Sequence, residues 1–237
     1  LLTRKFAEYY YFPGTFVAIP AYEWTGSIAA VCGHEGGPWG HVNPLYLEEE
    51  GDLVFYTPCD PKCAGGSLER LWQTYAARRI VTPPHHIVDA LHPYNWDVFD
   101  PQFEPVIEIF QDQRGSGEQP WAPGVTNNLH QEEGRWALPR LLGGKRFGFI
   151  ASSDHSGIAR AGLLVDELTR TGLYEAFMAR RTFGTTAVAL RVTFSCNGVS
   201  MGSEVETEEA NFRIEIAAPE PLYELQILRD GDLVETV

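Results

Sequence analysis

The pattern of apolar and polar residues predicts strands that alternate with helices through the first three quarters of the chain. The predicted strands are short, apolar, β-prone runs at residues 16–22, 53–56, 79–82, 105–110, 146–151 and 162–165. The predicted helices cover residues 3–11, 68–75, 136–142 and 169–181, the second of them capped by Ser67. Strands that alternate with helices are typical of parallel β/α units. We therefore expect an α/β fold over residues 1–186.

The pattern changes near residue 186. Strand-like runs now follow one another without helices, at residues 188–194, 212–216, 222–228 and 233–237. Asp230-Gly231 is a typical hairpin turn. Apolar and polar residues alternate in these strands, which predicts one buried face and one solvated face. We expect residues 187–237 to form an antiparallel β module that packs on the first domain and carries no catalytic residue.

Composition and charge narrow the range of functions. The chain has 237 residues, with 18 Lys and Arg against 32 Asp and Glu, and a net charge of −14. Such an acidic protein is a poor candidate for binding nucleic acid through phosphates. No apolar run reaches the roughly 18–20 residues of a membrane span. A small anionic substrate is compatible with this charge if a local cationic centre, such as a bound metal, attracts it. The compartment is not indicated.

Ligand-type side chains follow three of the predicted β/α strands, and a histidine stands in the loop after the first. These residues are Glu23, His41, the pair His85-His86 and the pair Asp154-His155. Each alone has an ordinary explanation as a cap, a surface charge or a loop residue. Together they are more specific, because the carboxyl ends of barrel strands converge on one site. Imidazole and carboxylate ligands suit Zn, Mn or Fe, so the sequence predicts a metal site.

The other histidines and the cysteines carry less information. His34 and His130 are interpreted as surface residues, and His92 as a loop residue. Cys59 and Cys63 form a C-x3-C pair without a second pair to match it. Loop cysteines, one disulfide and a structural metal clip all remain open for this pair.

Several short motifs occur in a characteristic order. They are Ala21-Tyr22-Glu23-Trp24-Thr25-Gly26, Gly40-His41-Val42-Asn43, Pro84-His85-His86, Val106-Ile107-Glu108-Ile109-Phe110-Gln111, Ser152-Ser153-Asp154-His155-Ser156-Gly157 and Arg180-Arg181-Thr182-Phe183-Gly184-Thr185-Thr186. In these motifs the chain resembles the PHP (polymerase and histidinol phosphatase) superfamily, in a branch of uncharacterised bacterial proteins. The resemblance covers residues 14–237. It implies a distorted (β/α)7 barrel, a centre of two or three divalent metal ions, and phosphoester hydrolysis.

The resemblance also implies roles for individual residues. Glu23 is similar to the carboxylate that bridges metals, and His41 to the histidine of the following loop. His86 is similar to the family's strand-end His-Pro histidine, but Ile87 stands where the proline is expected, so His85 remains an alternative. Asp154 and His155 are similar to the closing Asp/His motif, which generally has one residue between the two.

One part of the family pattern is absent. The superfamily opens with His-x-His on its first strand, and no histidine precedes Glu23 in this chain. We therefore expect the first β/α units to lie upstream of Leu1, and the barrel to be incomplete. This chain alone is then expected to bind metal weakly or at partial occupancy, and to be inactive if the missing strands are required.

The sequence thus predicts a metal-dependent hydrolase, with a phosphoester as the preferred substrate class. Asp154 or His155 is expected to position or deprotonate water, and Arg114 to hold an anionic group by two-point contact. An amide or ester hydrolase on the same scaffold is one alternative. A carbohydrate- or protein-binding module that uses exposed aromatic residues is the other.

Overall fold

The computed structural model describes residues 2–26, 39–51, 53, 55–56, 67–120 and 134–237. Four α-helices lie in these ranges: α1 (Leu2–Tyr9), α2 (Leu68–Tyr75), α3 (Ala137–Leu142) and α4 (Arg170–Met178). A 3-10 helix spans Trp96–Val98. The predicted Cys59 and Cys63 pair lies outside the described residues, as do His34 and His130. Cys196, which is described, is a free thiol.

The described strands are mostly short. They are β1 (Trp24–Thr25), β2 (His41–Val42), β3 (Leu45–Tyr46), β4 (Ile80–Val81), β5 (Pro84–His85), β6 (Val106–Gln111), β7 (Gly115–Ser116), β8 (Gly148–Ser152), β9 (Arg160–Leu163), β10 (Thr182–Thr185), β11 (Arg191–Cys196), β12 (Val199–Ser200), β13 (Phe212–Ala217), β14 (Gln226–Arg229) and β15 (Asp232–Thr236). Seven of them contain only two residues, so several of the sheets they form are small.

The predicted distorted (β/α)7 barrel is wrong. Within the described residues the strands form six separate small sheets, ordered β1-β2-β5, β3-β4, β7-β6-β8, β9-β10, β12-β11-β13 and β14-β15. The β6–β8 pair is parallel, and every other described pair is antiparallel. Small antiparallel sheets do not close into a ring of parallel strands.

The cause of this error is visible at the most regular strand-helix-strand unit. Here α4 separates β9 from β10, the order that predicts a parallel crossover. The structure instead pairs β9 with β10 antiparallel, from Leu163 opposite Thr182 to Arg160 opposite Thr185. The order of elements along the chain therefore does not fix strand direction, because the connection on each side of α4 can turn the chain back.

The helices follow the sequence pattern more closely. Ser67 caps α2, its hydroxyl accepting a hydrogen bond from the Arg70 backbone N–H. The residues at helical spacing, Leu68, Leu71, Trp72 and Tyr75, are all buried, as predicted. Thr169 caps α4 in the same way through Gly172. Trp72 stacks on Phe103 with ring centroids 5.5 Å apart, which anchors α2 beside the segment that leads into β6.

The predicted strand at residues 16–22 does not form a ladder. Phe16 makes a single bridge to Phe12, and Ala21 makes one to Leu45. Pro20 lies between them and has no backbone N–H to donate, although its carbonyl accepts from the Tyr46 N–H. The segment is thus tied to β3 by isolated contacts.

One buried arginine ties α1 to the body of the protein. The Arg170 side chain is fully buried and forms an ion pair with Glu8 at 2.7 Å. Its Nε donates to the Ala18 carbonyl at 2.9 Å, and its guanidinium lies over the Tyr11 ring at 4.2 Å. Arg170, at the start of α4, therefore holds the first 18 residues together with other contacts, among them the hydrogen bond from the Gly14 N–H to the Leu168 carbonyl.

The C-terminal residues form two antiparallel sheets, and the predicted Asp230-Gly231 hairpin turn between β14 and β15 is confirmed. Both turn residues have positive φ, 54° and 87°, as a tight hairpin turn requires. None of residues 187–237, all of which are described, is buried. Phe194 stacks on Phe212 across the β11–β13 pair, yet Phe212 stays 63% exposed.

Among the described helices, none combines the length and apolar character needed to cross a membrane.

Candidate metal centre

Three of the predicted ligands come together at one end of the first sheet. Donor atoms of Glu23, His41 and His86 all lie within 4.8 Å of one another. Glu23 immediately precedes β1, His41 begins β2, and His86 follows β5. These strands are neighbours in the order β1-β2-β5, with Thr25 opposite His41 and His41 opposite His85. The antiparallel register, not a barrel mouth, is what gathers the ligands.

Glu23 and His41 contact each other directly, through a hydrogen bond between His41 Nδ1 and a Glu23 carboxylate oxygen. This hydrogen bond lowers the pKa of Glu23, against the opposing effect of partial burial. The His41 side chain is 10% exposed and that of Glu23 is 37% exposed. Glu23 is therefore an ionised carboxylate at the solvent side of the cluster, with His41 behind it.

His86 has the properties of a neutral imidazole ligand. Its ring is buried, and its Nδ1 has no hydrogen-bond partner. Burial lowers the pKa of His86 to about 2, and the nearby His85 and His41 add to this effect. Because only the unprotonated nitrogen of imidazole binds metal, this environment favours metal binding by His86.

The backbone explains why His86 turns toward the cluster. His86 has φ of 34°, in the left-handed region that a non-glycine residue seldom adopts. Its N–H donates to Glu108 Oε1 at 2.8 Å, which holds that conformation from the central strand β6. The same Glu108 carboxylate also accepts a hydrogen bond from the Ser152 hydroxyl on β8. Glu108 therefore fixes the chain at the point where His86, the candidate metal ligand, departs from the strand.

His85, unlike His86, contacts carboxylates through both of its ring nitrogens. Its Nδ1 donates to Glu108 Oε2 at 2.8 Å, and its Nε2 lies 3.3 Å from Asp154 Oδ1. Burial lowers the pKa of His85, but the Glu108 hydrogen bond and the charges of Glu108 and Asp154 outweigh it and raise the pKa to about 9. His85 is thus a buried imidazolium between two carboxylates. Of the two alternatives left open by the sequence, the geometry favours His86 as the ligand.

The two residues of the closing pair Asp154-His155 differ in solvent exposure. The Asp154 side chain is 10% exposed and faces His85, whereas the His155 side chain is 80% exposed. Asp154 has φ of 55°, a conformation that aspartate tolerates better than most residues. His155 Nε2 lies 3.6 Å from Asp154 Oδ1, at the solvent side. Asp154 therefore faces the buried site, and His155 lies on its rim.

Arg114 follows β6, and its guanidinium forms an ion pair with the buried Asp89, three residues after His86. Its NH1 lies 2.9 Å from Asp89 Oδ2, and its side chain is 28% exposed. The positive charge of Arg114 is one of the causes that lower the pKa of His86, after burial, His85 and His41. The predicted anion-binding arginine is thus beside the cluster and accessible to solvent.

Sequence reasoning missed three residues that contribute to this site. His92 was interpreted as a loop residue, yet its ring centroid lies 4.1 Å from that of His41. Glu108 and Asp89 are buried acids to which the sequence analysis gave no role. A charged residue within an apolar strand, as Glu108 is in β6, is a signal that could have been used, because such residues are seldom buried without a specific partner.

The residues present fit a divalent metal ion. Two imidazole nitrogens and one carboxylate oxygen are a donor set used for Zn, Mn and Fe. The pKa of Glu23 is lowered and that of His86 is strongly lowered, so both groups are in the protonation states that bind metal. Three protein ligands leave further coordination positions for water or substrate, as in catalytic rather than structural zinc sites.

Comparisons with known proteins identify two relatives. An uncharacterised protein of Chlamydia pneumoniae is 26% identical over 195 residues, covering 71% of this chain and 31% of its own length. An uncharacterised protein of Chlamydia trachomatis serovar D is 25% identical over 229 residues, covering 81% of this chain and 37% of its own length. The chain thus spans about a third of the curated relatives it matches. No protein-family model matches it, and no solved structure matches it significantly.

Proposed function

We propose that this protein is a metal-dependent hydrolase whose substrate is a small phosphoester. The observation that carries the proposal is the convergence of Glu23, His41 and His86, with donor atoms within 4.8 Å. These three residues would hold the ion. When bound, a divalent cation supplies Lewis acidity that polarises an ester oxygen and acidifies water. Zn, Mn or Fe fits the ligands, and the centre would take two or three ions if the complete protein adds further ligands.

The charges around the cluster favour an anionic substrate. The chain as a whole carries −14, but Arg114 and the imidazolium of His85 both lie beside the three ligands. Arg114 is solvent-accessible and offers a planar donor pair suited to a phosphate. Asp154, which is mostly buried beside His85, would orient water or accept its proton. His155 on the rim is available to contact the leaving group.

The test begins with metal binding. Three proteins are compared: the wild type, Glu23→Gln and Glu69→Gln. Each is stripped of metal with a chelator and titrated with Zn²⁺ and Mn²⁺ in a calorimeter. Glu69 is an exposed acid in the first turn of α2 and serves as the matched control. We expect weak binding or partial occupancy in the wild type, at least roughly tenfold weaker binding in Glu23→Gln, and no change in Glu69→Gln.

Hydrolysis is then measured with p-nitrophenyl phosphate, bis-p-nitrophenyl phosphate and p-nitrophenyl acetate, with and without the metal. We expect metal-dependent release of p-nitrophenol from a phosphoester. Cleavage of the acetate alone would indicate a carboxyl-ester hydrolase instead. A wild type that binds neither metal, or binds them as well after Glu23→Gln, contradicts the proposal.

A further inference from the structure

One buried carboxylate lies between the metal ligand and the arginine. Asp89 follows His86 by three residues, and its N–H donates to the His86 carbonyl at 2.9 Å, which closes a tight turn. The Asp89 side chain is completely buried. Its Oδ1 accepts a hydrogen bond from the Leu91 N–H at 3.0 Å, which fixes the orientation of the carboxylate.

The other oxygen of Asp89 faces two functional groups at once. Asp89 Oδ2 lies 2.9 Å from NH1 of Arg114 and 3.7 Å from Nδ1 of His86. That Nδ1 is buried and has no hydrogen-bond partner, and Asp89 Oδ2 is a buried acceptor just beyond hydrogen-bond distance from it. A buried carboxylate is costly unless cationic or donor groups compensate it. Here the compensation comes from Arg114 and from the turn that also carries His86.

We propose that Asp89 is a positioning residue that directs Nε2 of His86 to the metal and holds Arg114 ready for the anionic end of the substrate. This inference rests on the proposed function. The two ring nitrogens of an imidazole are on different edges, so a carboxylate beside Nδ1 favours its N–H tautomer and leaves the Nε2 lone pair for the ion. Carboxylates that orient metal-bound histidines in this way act through the ligand, without touching the metal.

The shared oxygen gives the proposal a distinctive consequence. Loss of the Asp89 charge should weaken two functions at once. These are metal affinity, through His86, and substrate affinity, through Arg114. Loss of Arg114 alone should weaken only the second. A purely structural role for Asp89 would lower the stability of the protein without producing this division.

The experiment compares Asp89→Asn, Arg114→Gln and a control, Asp97→Asn, in the full chain. Asp97 is an exposed acid in the 3-10 helix. Zn²⁺ and Mn²⁺ affinity is measured by calorimetry, and KM and kcat with p-nitrophenyl phosphate. We expect 10- to 100-fold weaker metal binding in Asp89→Asn and a KM raised roughly tenfold in both Asp89→Asn and Arg114→Gln. Metal affinity should be unchanged in Arg114→Gln, and both measures unchanged in Asp97→Asn.

A measurement without metal separates this inference from the proposed function. The ¹⁵N NMR spectrum of the His86 ring in the metal-free wild type should show the Nδ1–H tautomer, and Asp89→Asn should shift the population toward Nε2–H. If the wild type binds no metal, the proposed function fails, and the tautomer still decides whether Asp89 orients His86. An unchanged tautomer in a folded Asp89→Asn variant, or metal affinity equal to that of the wild type, overturns the inference.

Discussion

His41 and His85 are register partners across the antiparallel pair of β2 and β5, and each contacts a different carboxylate, Glu23 for His41 and Glu108 for His85. The next residue, His86, leaves the strand with a positive φ and joins Glu23 and His41. Two adjacent histidines thus have different surroundings. His86 is the candidate metal ligand, and His85 is a cation between Glu108 and Asp154.

The first prediction compares the two histidines. His86→Asn should reduce Zn²⁺ affinity by at least roughly 100-fold, because it removes a neutral imidazole ligand; asparagine is chosen since it tolerates the positive φ at this position. His85→Gln should cost less, because His85 contacts carboxylates on both sides of its ring. Calorimetric titration measures both. Equal losses, or a greater loss in His85→Gln, would reverse the assignment of the ligand.

The second prediction concerns the pH dependence of stability in the metal-free protein. The pKa of His85 is raised from 6.5 to about 9, so its contribution to stability is complete below about pH 6.5 and is lost as the pH rises through about 9. Asp154→Asn removes one of the charges that raise this pKa, so His85 should contribute less stability and its contribution should be lost completely at a lower pH. NMR titration of His85 and urea unfolding at pH 6, 8 and 9.5 measure these effects. The exposed neighbour provides the control, since His155→Asn should leave the His85 titration nearly unchanged.

The third prediction concerns Glu104, which is completely buried and accepts a hydrogen bond from the Tyr94 hydroxyl. Burial raises the pKa of Glu104 well above 4.5 and outweighs the hydrogen bonds from the Tyr94 hydroxyl and the Asp100 N–H, which lower it. Above about pH 4.5 the unfolded chain releases this proton and the folded chain keeps it. The free energy of unfolding should therefore fall with rising pH, by up to about 1.4 kcal/mol per unit.

Glu104→Gln keeps the oxygen that accepts from Tyr94 and removes the titration. The variant should gain stability relative to the wild type between pH 5 and pH 8, measured as urea midpoints at constant ionic strength. Glu235→Gln, at an exposed position on β15, is the control and should follow the wild type. A difference between Glu104→Gln and the wild type that does not vary with pH would show that Glu104 is ionised in the folded protein.

The fourth prediction concerns the anchoring of α1. Arg170→Met should destabilise the protein by roughly 3 kcal/mol, because the carbonyl of Ala18 loses its donor and Glu8 keeps only Arg4 of its two cationic partners. Limited proteolysis should then cleave within the first 18 residues at low denaturant. Arg229→Met, at a side chain 84% exposed, should have little effect on either measurement. A full loss of stability without early cleavage near the N-terminus would mean that α1 is held by other contacts.

The sequence was informative where the physical signal is local. A capping serine and four apolar residues at helical spacing predicted α2, and the helix predicted over residues 169–181 corresponds to α4, which ends earlier, at Met178. Two-residue strands such as β1 and β2 have no periodicity to detect, so the sheet that gathers Glu23 and His41 could not be foreseen. Strand direction depends on long-range pairing, which explains the wrong barrel and the antiparallel β9–β10 pair.

The candidate site was predicted in part for a related reason. Residue type alone singled out Glu23, His41 and Asp154, because acids and histidines after apolar strands stand out from their surroundings. The choice between His85 and His86 depended on one backbone angle and on hydrogen bonds from Glu108, a residue 22 positions further along the chain. Those interactions have no signature in the local sequence.

The division of the strands into six separate sheets also affects how the protein opens. The sheet formed by β6, β7 and β8 contains buried residues, whereas none of residues 187–237 is buried. Amide protons of β11 to β15 should therefore exchange with solvent through small local openings. Those of β6 should exchange only when a larger part of the protein unfolds. Exchange rates would then span two regimes in one polypeptide, and the C-terminal sheets would open and close many times before the rest of the protein unfolds once.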